Sequence, residues 1–227
     1  MDRDEVLTDM LRGWEPPAND EVRKSLLLAL EAFSDGQLKQ MQKAGVRFWT
    51  IGQLPDMALA VEAGPTRYFP QQRIIHLSEN VSVNDVRHEM AHTWDHVRTL
   101  KKKELHRLDD LNERQLEAAM KARVHMVSDS SQVRRMWHKY QRRMDNLGLH
   151  REDGFDLDAA SGYSRTSPQE FYAEGYAVFH SHQTSNQARL FLLAPELFEY
   201  LDKESKAEGL PIPDRSELEK QIKENRF

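Results

Sequence analysis

The chain has 227 residues, with 32 Lys or Arg against 37 Asp or Glu, ten His and no Cys, giving a formal charge of −5 at pH 7. That length suits one domain or a compact two-lobed unit, and the absence of cysteine excludes disulfides, thiolate metal sites, iron–sulfur clusters and cysteine nucleophiles. An acidic balance argues against a general nucleic-acid binder, and neither a membrane-length apolar run nor a secretory leader pattern is present, so the expectation is a soluble protein, cytoplasmic or exported by a dedicated route.

In chain order, Asp20–Ala44 places Val22, Leu26, Leu27, Leu30, Phe33, Leu38 and Met41 at near-helical spacing, with a break at Asp35-Gly36. Three short apolar runs then predict strands at Val46–Ile51, Met57–Val61 and Arg73–Leu77, one small sheet, separated by Pro and Gly. His76 on the last run reads as structural. Ser82–Leu100 returns to helix, with Ser82 as N-cap and Asp85 three residues on completing a capping box. From Arg98 to Asp145 the composition stays helical, but 13 basic residues face 7 acidic ones, a balance of +6 that leaves −11 for the remainder. Met136, Trp137 and Tyr140 within it are spaced like a core stripe. A loop at Asn146–Thr166 precedes a helix starting at Ser167-Pro168, and further helices are predicted at Asn186–Leu193, Ala194–Lys206 and Arg215–Asn225. The order predicts a mostly helical α+β fold with sheet and helices segregated.

His88-Glu89-Met90-Ala91-His92 is an H-E-x-x-H pattern in the middle of a predicted helix. Residues four apart share a helix face, so both imidazoles can reach one ion, while Glu89 stands about 100° round the axis and can address a water on that ion. Two imidazoles and a carboxylate suit one zinc ion, and the reaction class implied is hydrolysis, most plausibly of a peptide bond. A third ligand is needed. The metzincin extension would put Gly and His where Asp95 and Arg98 stand, which excludes that subclass. His96 is a further turn along a straight helix, too far to converge on the same ion, and reads as a residue beside the site or on the surface. Asp95 reads by default as a solvated helix charge. Glu170 and Glu174 remain as carboxylate candidates on a separate helix; Ser167-Pro168-Gln169-Glu170 is also a capping-box pattern, so the residues alone leave the choice between them open.

The block His88–Asp95 together with Ser161-Gly162-Tyr163-Ser164-Arg165-Thr166 and Glu170-Phe171-Tyr172-Ala173-Glu174 resembles the catalytic domain of anthrax lethal factor and related zinc metalloproteases, including the Pro-Pro endopeptidases. The resemblance spans under a third of the chain. It implies a zincin-like fold, with a small sheet in the N-terminal lobe, the H-E-x-x-H helix and a helical C-terminal lobe. It further implies zinc ligands at His88, His92 and Glu170, a general base at Glu89, an oxyanion-assisting phenol at Tyr163, and at Glu174 an outer carboxylate that orients a ligand histidine. The expected protein is a single catalytic domain over 1–227, made of 1–100, a basic helical insertion over 101–145 and a helical lobe over 146–227. Its expected function is that of a zinc-dependent endopeptidase acting on an extended protein or peptide segment, either as a delivered bacterial effector or toxin or as a protease of its own cell. The strand Arg73–Ser78 is the candidate edge for substrate addition. The alternative is a non-catalytic zincin-fold module that uses the basic insertion to hold a protein or nucleic-acid partner.

Overall fold

The computed structural model describes residues 2–12, 20–49, 66–78, 81–101, 107–121, 123–149, 157 and 163–224. It divides into two compact units, Met1–His125 and Met126–Phe227. The described residues are mostly helical, with a small three-stranded sheet, in keeping with α+β.

The first unit opens with α1 (Arg3–Met10), a helix absent from the sequence expectation, which buries Val6, Leu7 and Met10. Its weak apolar periodicity hid it: anchoring comes from polar contacts. Arg3 donates to the carbonyls of Leu30 and, at 2.9 Å, Phe33, satisfying carbonyls at and just past the end of α2 (Asp20–Leu30), while Asp9 accepts from Arg107 at 2.8 Å. The chain leaves the helix over 31–34, just ahead of the break expected at Asp35-Gly36, which instead opens α3 (Asp35–Lys43); Ser34 and Gln37 form a reciprocal capping box there. Gly45 follows at φ +75°, and a Cβ would stand 2.9 Å from Arg107 Cα, so both backbone conformation and close approach call for glycine.

The sheet has the order β1 (Arg47–Trp49), β3 (Ile74–His76), β2 (Arg67–Phe69). β1 lies parallel to β3, with Phe48 opposite Ile75, and β2 lies antiparallel to it, with Tyr68 opposite Ile75. Two differences from expectation follow. β2 was not foreseen, since Arg67-Tyr68-Phe69 is too short to show an alternating pattern; the expected strand at 57–61 falls outside the described residues. β3, proposed from sequence as an edge open to a substrate strand, is instead the central strand with neighbours on both sides, so its ladder groups are already used. His76 is fully buried on it. α4 (Val83–Val97) packs against α2, α3, β2 and β3.

In the second unit, α6 (Ser131–Asn146) buries Val133, Met136, Tyr140 and Met144; of the three residues expected as a core stripe, Met136 and Tyr140 are thus in the core, whereas Trp137 is only half-buried. The preceding α5 (Glu113–Lys121), in the first unit, buries no residue. α7 (Pro168–Phe179) is buried at every position from Phe171 to Phe179 and is therefore apolar nearly all round. It packs against α6, α8 (Thr184–Leu193) and α9 (Pro195–Glu208). Gly175 permits that closeness: a Cβ there would stand 2.2 Å from Leu197 Cδ2. α10 (Arg215–Lys223) closes the unit against α8. No helix among the described residues is long and apolar enough to cross a membrane.

Candidate metal centre

α4 begins as its sequence predicts. Ser82 accepts from Asp85 N–H at 3.1 Å and Asp85 accepts from Ser82 N–H at 2.9 Å, a complete capping box that sets the helix phase six residues before His88. One turn apart, the His88 and His92 rings meet edge to face, with their Nε2 atoms 3.1 Å apart. Two nitrogens each about 2.0–2.1 Å from a tetrahedral zinc stand roughly 3.3 Å from one another. The pair thus has the spacing of two ligands to one ion, and the donor set fits zinc.

Glu89 is oriented by the sheet. Its Oε2 accepts from the backbone N–H of Tyr68 on β2 at 2.7 Å; in the antiparallel register with β3 this N–H points away from the ladder. The same residue reaches α4 a second time, two helical turns further on: the Tyr68 hydroxyl and His96 Nδ1 are 2.9 Å apart. Residues 89 and 96 share a helix face at i and i+7, so Tyr68 ties strand and helix together on either side of His92. Burial, the largest cause, raises the Tyr68 phenol above its ordinary range. His96 is pushed down to about 4, first by burial and then by the positive charges of Arg73 and His125. Both partners are therefore neutral at pH 7 and make a neutral hydrogen bond in the core.

His96 is thus a buried structural partner of the sheet. Asp95, expected as a solvated charge, is fully buried and pairs with Arg98 at 3.1 Å; a charge removed from water needs such a counterion. Sequence reasoning did not find Tyr68, because nothing in its neighbours signals that its backbone would meet Glu89.

In the second unit, the other predicted residues lie on one segment. Tyr163 is 51% exposed, and its carbonyl accepts from Thr166 N–H at 2.9 Å, closing the turn ahead of α7. Ser167 caps α7 by accepting from Glu170 N–H at 3.1 Å, with Pro168 in the first turn. The caps of α3 and α4 are reciprocal boxes, and at α7 the Ser167 hydroxyl accepts from the Glu170 N–H. Glu170 is half-buried in the first turn of α7. Glu174, one turn on, is 4% exposed.

The chain is similar in fold to a solved peptidase. The structure of the Pro-Pro endopeptidase PPEP-2 from Paenibacillus alvei matches at a TM-score of 0.52 and 15% identity, covering 87% of this chain and 98% of that one. No protein-family model matches the chain, and no curated protein matches its sequence.

Proposed function

We propose that the chain is a zinc-dependent endopeptidase with a zincin-like fold, in which His88, His92 and Glu170 hold one zinc ion and Glu89 is the general base. The observation that carries this reading is the His88–His92 pair, whose 3.1 Å nitrogen spacing suits zinc ligation. Two further points support it: Glu170 supplies the carboxylate that a two-histidine zinc site takes as its third ligand, and the fold is similar to that of a Pro-Pro endopeptidase.

Zinc, when bound, lowers the pKa of a coordinated water from about 15.7 toward roughly 7 and polarises a carbonyl. Glu89, its carboxylate oriented by the Tyr68 N–H, takes a proton from the attacking water and delivers it to the leaving amine. Tyr163 donates its phenol hydrogen to the carbonyl oxygen as negative charge develops there, a contribution of about 10²–10³ in rate. Glu174 orients a ligand imidazole and selects its tautomer. The substrate is a protein or peptide in extended conformation, and a delivered effector or toxin would fit this chemistry as well as a protease acting in its own cell.

Zinc content and peptide-library cleavage of wild type and Glu89→Gln test the reading together. The expected result is about one zinc in both proteins, with cleavage lost by at least roughly 10³-fold in the variant. A wild type that binds no zinc, or a variant that cleaves at the wild-type rate, overturns it.

A further inference from the structure

The turn that carries Tyr163 is closed twice by Thr166, whose N–H and hydroxyl both donate to the Tyr163 carbonyl, and it is bonded to α6 and the residues just after it. Trp137 Nε1 donates to the Ser164 carbonyl at 3.1 Å, and Gln141 Nε2 donates to the Arg165 carbonyl at 3.2 Å. The Ser164 hydroxyl donates to the Tyr140 hydroxyl at 3.0 Å. Arg165 returns two contacts, to Asp145 Oδ1 and to the Leu149 carbonyl, both at 2.8 Å. Residues 137, 141 and 145 follow one another at i, i+4 and i+8, with 140 beside them, so a single helix face meets the turn.

The same helix fixes the start of α7. Tyr140 stacks on Phe171, with ring centroids 5.1 Å apart and planes at 27°, and Gln169 donates to Asp129, just ahead of α6. Ser164 is completely buried while its neighbour Tyr163 is half exposed. A backbone pinned at the two residues that follow a half-exposed phenol is an arrangement that preorganises a donor: about 1 Å of misplacement can cost on the order of 10²-fold in rate.

We propose that Trp137 and Gln141 are positioning residues for Tyr163, with Tyr140 as the buried anchor between them, so that the inner face of α6 holds the phenol for the oxyanion. This rests on the endopeptidase reading for the role of Tyr163. It assigns the strongly basic segment a task distinct from its charge: the residues that meet the turn are two aromatics, an amide and one carboxylate.

Trp137→Phe keeps a ring and loses the donor; Gln141→Met keeps the length and loses the donor, and serves should the first variant fold poorly by circular dichroism. Amide hydrogen exchange is read at Thr166, whose N–H closes the turn. The expectation is exchange at least about tenfold faster there than in wild type, with α9 unchanged. Cleavage of a peptide selected from the library is then measured in a double-mutant cycle. Each variant is expected to lower kcat by about tenfold with KM nearly constant, and to have no further effect in a Tyr163→Phe background. Unchanged exchange overturns the inference, as do losses that multiply with Tyr163→Phe. If wild type cleaves nothing in the library, it is the protease reading that falls, and Tyr163's role with it, whereas the exchange result still decides separately whether α6 holds the turn.

Discussion

α4 and α7 both start at a serine cap and both carry candidate zinc ligands, yet they present them differently. On α4, His88 and His92 are set against one another by helix geometry alone, and the flanking residues of the second half, from Met90 to Val97, are all buried. On α7, Glu170 stands in the first turn and depends on where the preceding loop delivers the helix, a loop bonded to α6 through Trp137 and Gln141. Ligands one helical turn apart need only the helix; a carboxylate and a phenol on either side of a cap need tertiary bonds to hold them.

That contrast can be broken most forcefully at the metal. His92→Ala removes half of the pair that α4 preorganises, and zinc affinity, measured by competition with a chelator, should fall by more than about 100-fold. Glu174→Gln alters only the proposed orienting carboxylate on α7 and should cost about 10–100-fold. Equal losses from the two variants would show that α4 does not dominate ligation.

A second difference is electrostatic and sits on the α4 side. His96 titrates at its ordinary 6.5 in the unfolded chain and at about 4 in the folded one. The unfolded chain binds more protons between those values, so stability rises as pH increases through the window and is lost on acidification from about pH 6.5 to 4, by on the order of 2–3 kcal/mol. Denaturant unfolding of wild type and His96→Gln across that range should give curves whose difference follows this slope; parallel curves would mean that burial of His96 is not its source.

The α7 side has its own sensitive point in Gly175. Glycine→alanine usually favours a helix, but here the added methyl meets Leu197 Cδ2, and overpacking should destabilise by about 1–3 kcal/mol in chemical denaturation. A gain in stability would mean that Leu197 can turn aside at little cost.

The legibility of the two helices in the sequence differs for the same reasons. Ser82, Asp85, His88 and His92 are related by intervals of three and four, and such intervals have direct structural meaning inside one helix. In the second unit, α6 and α7 were likewise readable from the spacing of Met136 and Tyr140 and from Ser167-Pro168 at a helix start. By contrast α1 was missed because Arg3 and Asp9 anchor it through residues 30, 33 and 107, and β2 because three residues are too few to show a period. The reading of β3 as an edge failed for a related reason: strand order is a property of pairing between segments, and neither the Ile74-Ile75 run nor its flanks specifies which neighbours it takes.

Local periodicity and capping chemistry thus let the sequence alone determine the motif helix, the His88–His92 pairing and the mostly helical character of the chain. Only the tertiary structure decided that Tyr68 would bring its backbone N–H to Glu89, that Asp95 and His96 would lie in the core, and that α6 would bond to the Tyr163 turn. Each of these joins residues 20 or more positions apart or buries a group whose type usually faces water. Such contacts form because burying the surrounding apolar surface forces polar groups to find partners wherever the packed fold provides them.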